Sequence, residues 1–434
     1  MDVPFRSALV VPALLVLAGC AADGGSQPRT SASPPTTAAA PAAAPTAAPS
    51  PVAAAPAASA PPSPPPLPPI MGFRDAVLFA ANNMLKAATI ATPDSGTVPL
   101  VVDPLIDGNS GVQSVATQTL EKEFVGLVRN SYPKFEVQPF AASTLAKASL
   151  LFIGTFTAVD AEGKNAGAKE WYRVCLAMLD LRSGKIVSKG FARSRTEGVD
   201  STPVQYFLDS PTWVPDTATD GYVKTCQGTR AGDPINPNYW DKIVAAALIN
   251  EAFQAYEGGR YQEALDLYRG VARTPQGDQL RVHNGIYLSA WNLGRKAEAE
   301  EAFGRIVDYG LANKRLAVKF LFRPGSTVFI DRQELAESYR IWLRQIATHS
   351  GQQQSCLRIT GHTSRTGPEP LNERLSTMRA QLVKQRLESI VPSLSTRSVA
   401  AGRGSAENIV GLGTDDARDA LDRRVEFNVV NCPA

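Results

Sequence analysis

The sequence predicts a multi-domain α+β protein that follows a disordered Pro/Ala-rich tether. Three observations carry this. Fifteen of the 33 prolines fall between Pro28 and Pro69. Hydrophobic residues make up 44% and charged residues 20% of the 434 residues, a composition suited to folding. Beyond residue 70, apolar residues recur at strand and helix periods in turn. At ~150 residues per domain the length calls for two or three domains. The elements divide them into a small α/β sandwich (71–240), a short α-helical repeat pair (241–316) and a C-terminal βαβαββ domain (317–434). With 44 Lys+Arg against 41 Asp+Glu the formal charge is +3, which argues against a nucleic-acid binder, whose footprint is a strong basic excess. No run of ~18 or more apolar residues follows the first twenty, which excludes a polytopic helical membrane protein.

Residues 1–19 read as a secretory signal peptide. Arg6 supplies a positive charge, Ser7–Leu17 is an apolar stretch too short to span a bilayer, and Ala18 and Gly19 are small. The ending Leu17-Ala18-Gly19-Cys20 is similar to the lipobox of bacterial lipoproteins. That resemblance implies an acylated Cys20 and, with Ala21 and Ala22 rather than Asp after it, an address at the outer membrane, facing the periplasm. Residues 20–70 form the tether. Asp23 and Arg29 are the only charges among mostly Ala, Pro, Ser, Thr and Gly, so little apolar surface is available to offset ordering entropy. At ~3.1 Å per residue such a segment reaches on the order of 150 Å.

Export makes disulfides the expectation for the other cysteines, Cys175, Cys226, Cys356 and Cys432. Of three possible pairings, Cys175–Cys226 and Cys356–Cys432 keep each bridge within one domain. No Cys/His spacing fits zinc, the histidines are His283, His349 and His362, and no nucleophile motif is present. No metal, cofactor or enzymatic activity is expected.

In 71–240, Phe73–Leu85 has helical apolar spacing, Val98–Val102 reads as a strand, and turn residues fill Ile106–Gly111. Val115, Leu120, Phe124, Leu127 and Val128 mark an amphipathic helix, followed by strands at Phe135–Val137 and Leu150–Phe156. Tyr172–Leu181 and Lys185–Arg193 form a hairpin across Arg182-Ser183-Gly184. Ser201–Tyr239, rich in Pro, Asp, Thr and Gly, reads as a long loop stapled by Cys226. The element order and the Val-Val-Asp opening weakly resemble periplasmic lipoprotein domains of the CsgG/LpoB type, which implies protein–protein contact rather than catalysis.

In 241–316, Gly259, Tyr261, Ala264 and Tyr268 recur as Gly294, Lys296, Ala299 and Phe303 at a spacing of 35. Small residues let paired helices approach while aromatics fill between them. The pattern resembles the tetratricopeptide repeat, and with only two copies neighbouring domains are expected to cap it. A spacer and a peptide-binding groove both remain open as its role.

In 317–434, strands are expected at Val318–Phe322, Cys356–Ile359, Val399–Gly402 and Val425–Val430. Helices are expected at 332–347, with Leu335, Ser338, Trp342 and Ile346 on one face, and at 372–390, with Leu375, Leu382, Val383 and Leu387 inward. Leu357-Arg-Ile-Thr-Gly-His-Thr-Ser364, then Gly367, Asn372, Leu375-Ser376, Arg379-Ala380 and a terminal Asp422-Arg-Arg-Val-Glu426, look like the peptidoglycan-binding OmpA-like domain. In that family the last strand lies antiparallel beside the second, which would bring Cys432 near Cys356. The resemblance implies a ligand, the diaminopimelate of the cell-wall stem peptide, held by Thr363, Ser364, Thr366, Asn372, Ser376, Arg379 and Arg424. Asn372, Ser376 and Arg379 at i, i+4 and i+7 share a helical stripe, and a guanidinium fork suits a carboxylate. Arg424 stands between ligand contact and a structural ion pair. Ser364 replaces the family's usual Asp, removing a charge opposite the ligand ammonium, so binding weaker by about tenfold or more is expected unless Glu369 or Glu373 compensates. The expected function is an outer-membrane lipoprotein that tethers the envelope layers through peptidoglycan. The alternative is a periplasmic scaffold or regulator whose α/β and repeat domains recruit a protein partner, with weakened wall binding.

Overall fold

A computed structural model describes residues 67–90, 96–165, 167–213, 215–323, 325–330, 333–411, 413–414, 416 and 418–432. The expected signal peptide, the lipidated Cys20 and the tether up to residue 66 lie outside the described residues. The last residue assigned to the tether, Ile70, opens the first strand.

The elements run β1 (Ile70–Met71), α1 (Phe73–Ala87), β2 (Val98–Val102), β3 (Ile106–Asp107), α2 (Val115–Ser131), β4 (Phe135–Pro139), α3 (Ala142–Leu145), β5 (Leu150–Val159), β6 (Trp171–Asp180) and β7 (Lys185–Ser194). They build one sheet in the order β1-β7-β6-β5-β2-β4, with β3 beside β5. All ten residues of β5 are buried, because helices cover both faces of the sheet. Phe152 and Phe156 face α1 and α2, where Phe124 stacks on Phe152. Leu151 and Ile153 face the opposite layer with Tyr222, Tyr239 and Ala247. α2 starts with a reciprocal cap, Ser114 Oγ accepting from Thr117 N and Thr117 Oγ1 accepting from Ser114 N.

The segment Ser201–Tyr239 is not the expected long loop. It holds α4 (Gln205–Asp209), α5 (Thr217–Gln227) and α6 (Pro237–Trp240). Its turn-type residues act as helix starts: Asp216 Oδ1 caps α5 by accepting from Ala218 N and Thr219 N, and Asn236 precedes Pro237 at the opening of α6. The inward face of α5 is built from Ala218, Gly221, Tyr222, Thr225 and Cys226, too few apolar residues to reveal a helical period. Both expected disulfides, Cys175–Cys226 and Cys356–Cys432, are formed, with Cα separations of 6.1 and 5.2 Å.

Next come α7 (Ile243–Glu257), α8 (Tyr261–Ala272), α9 (Leu280–Asn292) and α10 (Lys296–Ala312). The spacing of 35 has a packing cause. Gly259 and Gly294 take φ of 71° and 74° between paired helices, where other residues would be strained. Ala264, Ala299, Tyr268 and Phe303 are wholly buried.

The chain ends with β8 (Arg315–Val318), α11 (Gln333–Gln352), β9 (Cys356–Gly361), α12 (Glu369–Ile390), β10 (Ser398–Gly402) and β11 (Val425–Val430). α11 continues the helical stack: Trp342 stacks on Phe303 at 5.6 Å and donates to the Tyr287 hydroxyl. The strands form a sheet in the order β10-β9-β11-β8, with β10 parallel to β9 and β11 antiparallel to both β9 and β8. Two expectations need correction. The first strand is Arg315–Val318, not Val318–Phe322, because Phe320 and Phe322 leave the ladder for an aromatic cluster with Phe329 and Tyr339. The face of α12 that is fully buried carries Asn372, Ser376, Arg379, Ala380, Val383 and Leu387, while Leu375 and Leu382 are half-buried.

The fit of α12 against the sheet rests on glycine. A Cβ on Gly361 would stand 2.1 Å from Ser376 O, and one on Gly402 would stand 2.4 Å from Ser376 Oγ. Gly361→Ala should therefore cost roughly 1–3 kcal/mol or more in urea unfolding. Gly126→Ala, in the open on α2, should stabilise by a few tenths to about 1 kcal/mol. An unchanged urea midpoint for Gly361→Ala would show that the helix can ride higher on the sheet.

Candidate functional site

β8, β9 and β10 all end at one edge of the C-terminal sheet, and β11 begins there. The described parts of the connections that follow β8, β9 and β10, together with the first turns of α12, therefore meet at that edge. All seven residues expected to bind ligand are carried there. Thr363, Ser364 and Thr366 lie in the loop between β9 and α12, Asn372, Ser376 and Arg379 on the buried stripe of α12, and Arg424 just before β11.

Their surroundings differ. Arg379 is 5% exposed. Its Nε donates to Ser326 O at 3.1 Å, its Nη2 reaches Arg323 O at 3.5 Å, and its guanidinium carbon lies 4.7 Å from the centre of the Phe322 ring. Those two hydrogen bonds go to neutral carbonyls, weaker acceptors for a cation than a carboxylate. Ser364 Oγ is 3.2 Å from Thr366 Oγ1, within hydrogen-bond reach. Thr363 is buried, with Asn408 Nδ2 donating to its carbonyl. Asn372 Nδ2 points to Gly367 O at 3.5 Å and steadies the turn before the helix.

Ser376 and Arg424 serve the frame. Ser376 is fully enclosed, donating to Glu373 O and accepting from Gly404 N, both at 2.9 Å. Arg424 donates from Nε to Glu426 Oε1 at 2.7 Å and from Nη2 to Glu407 O at 3.1 Å, which is the ion-pair alternative. Glu369 spends its carboxylate on the Ser405 amide and hydroxyl, so it pins the neighbouring loop. Glu373 stays exposed.

Sequence reasoning missed three contributors. Phe322 and Ser326 hold Arg379 from a loop more than fifty residues earlier, and their only sequence signal is the Phe-Arg-Pro-Gly-Ser turn after a strand. Asp422 was read only as part of the terminal motif. It is buried and accepts from the amides of Ile409, Val410 and Gly411 at 2.6, 3.1 and 2.7 Å, shaping the loop after β10. Burial pushes its carboxyl above the ordinary range, against the pull of those amides.

His362 is enclosed, and burial, then the charge of Arg424, pushes its pKa down to about 3. The ring is neutral at physiological pH and carries no positive charge into the site. Among the described residues no group of three or more His, Cys, Asp or Glu side chains is placed to hold a metal ion.

Glu426 joins β11 to β8 through Arg315 Nη2 at 3.0 Å as well as to Arg424. Burial alone would raise its pKa, but Arg424 and then Arg315 overcome this and hold it at about 2. A carboxyl whose pKa falls on folding adds stability above its unfolded value, and that stability is lost as pH drops through the folded one. Stability should thus decline from about pH 4.5 towards pH 2. Glu426→Gln should remove roughly 3 kcal/mol at pH 7 and flatten that decline, as read by urea unfolding across pH. An equally steep acid limb in Glu426→Gln would assign the decline to other carboxylates.

No family model matches the chain. Outer membrane porin F of Pseudomonas fluorescens is 37% identical over 75 residues, which are 17% of this chain and 22% of that protein; the chain thus spans less than a quarter of that relative's length. Among solved structures, the peptidoglycan-associated lipoprotein of Burkholderia pseudomallei is 25% identical, covering 26% of this chain and 89% of that one, with a TM-score of 0.22. An OmpA-like domain from Francisella tularensis is 18% identical, covering 26% of this chain and 70% of that one, with a TM-score of 0.21.

Proposed function

We propose that the chain is an outer-membrane lipoprotein that binds peptidoglycan non-covalently, with the C-terminal site gripping the diaminopimelate of the stem peptide. The observation that carries this is Arg379. Its guanidinium is braced by the Phe322 ring and by backbone carbonyls at an edge where three loops converge. A planar guanidinium fork suits a stem-peptide carboxylate, which it can meet through two parallel hydrogen bonds. The hydroxyls of Ser364 and Thr366 then face the ligand's ammonium end, and without a carboxylate there the grip is modest. Acyl chains on Cys20 and a long tether would offset this by confining the site near the wall. The partial identity to an outer membrane porin fits the same address. The role is binding, not catalysis.

A scaffold role for the α/β and helical parts is compatible with this one. It is favoured by exposed apolar side chains where those parts meet, Trp240 on α6 and Val244 on α7, the latter 62% exposed.

The test is co-sedimentation with isolated sacculi. Wild type should pellet, and Arg379→Ala should lose binding at least tenfold. Arg379→Lys, which keeps the charge without the fork, should fall between them. Ser364→Asp should tighten binding about tenfold, on the scale of one charge-assisted hydrogen bond. Equal pelleting of wild type and a folded Arg379→Ala sinks the wall-binding reading. No gain from Ser364→Asp sinks the diaminopimelate assignment.

A further inference from the structure

A cavity of about 110 Å³ lies beyond the carboxyl end of β2, closed by α4, α5, α7 and α9. In α/β sheets that end is where ligands bind, and here β2 stands between β4 and β5 with the chain passing from one side to the other. None of the residues of the wall-binding edge lines it.

The cavity wall is unusual in what it leaves unpaired. Asp216 uses Oδ1 to cap α5, while its buried Oδ2 accepts no hydrogen bond. Arg281 Nε stands 4.0 Å from that oxygen and donates instead to Gln279 Oε1. Asn284 and Asn250, which both line the cavity, donate through Nδ2 to Thr212 O and Phe140 O, and the buried Oδ1 of each has no partner. Thr212 Oγ1 is buried and unpaired as well. Buried polar groups are nearly always satisfied, so such a cluster points to a missing donor.

The donor's chemistry follows from charge. Asp216 and Arg281 bring one charge of each sign, and Asp103, whose carboxyl accepts from the Tyr239 hydroxyl, has its pKa pushed up to about 7 by burial. A lone cation would meet the Arg281 guanidinium, and a lone anion would meet Asp216. A molecule bearing both charges satisfies both. An apolar cavity of roughly 150 Å³ holds benzene with room to spare, so this one suits a molecule no larger than benzene, with the Tyr206 and Phe253 rings beside the apolar part.

We propose that this cavity binds a small zwitterionic α-amino acid, glycine or alanine in size, with its ammonium on Asp216 Oδ2, Thr212 and Asn284 and its carboxylate on Arg281. Calorimetry and thermal melting of the purified full chain with alanine, glycine, ethylamine and propionate test it. Alanine or glycine should bind and raise the melting temperature, and ethylamine and propionate should bind at least tenfold more weakly. Asp216→Asn retains a capping oxygen and should weaken alanine binding at least tenfold. If that variant fails to fold, Arg281→Gln on the partly exposed side carries the same expectation. The proposal is overturned if neither amino acid binds at millimolar concentration, if ethylamine binds as tightly as alanine, or if the folded variants bind alanine like wild type.

Discussion

The C-terminal site depends on how closely α12 can lie on its sheet. Gly361 and Gly402 remove the side chains that would hold the helix off, and Ser376 fills the gap with a hydroxyl that also ties down Gly404. This close approach brings the guanidinium of Arg379, one turn further on, under the loop after β8, where Phe322 and Ser326 support it. The site's geometry is thus a consequence of backbone proximity, and its cation is oriented before any ligand arrives.

The parts of the chain do not behave as beads. One core runs from Tyr206 and Tyr256 through Phe303 and Trp342 to Ile359 and Phe427. A smaller cluster joins Val112 and Trp213 of the α/β part to Ala420 and Leu421 near the terminal motif. Lys319, buried just after β8, donates to Leu208 O and sits over the Trp213 ring at 4.7 Å. Burial lowers its pKa to about 8, against the pull of Asp209. The loop that Asp422 shapes also touches the α/β part, where Asn109 Nδ2 reaches Ile409 O. Helices α7 to α10 thus have packed neighbours on both sides.

Much of this was legible in the sequence. The hairpin around Gly184, the amphipathic α2 and the spacing of 35 each follow from a local period or a residue with a special backbone angle. The stripe Asn372, Ser376 and Arg379 was legible as a stripe, but the division of labour within it was not. That Ser376 is enclosed while Arg379 meets a loop depends on glycines and carbonyls remote in the chain. The same limit explains α5, whose turn-type residues proved to be caps and small contact residues. It explains Phe320 and Phe322 too, whose apolar run suits a strand and an aromatic cluster equally well.

β1 has a mechanical meaning. It is two residues long and pairs with β7 at the outer edge of the sheet, where its Met71 O also accepts from Arg195 N. A pull applied at Leu67 enters the folded body there. So short an edge strand is held by few bonds, whereas α1 behind it buries Ala76, Val77, Ala80, Ala81, Met84 and Leu85. Such a pull is met first by β1 and only then by the core that α1 helps to build, so this strand can part while the core stays whole.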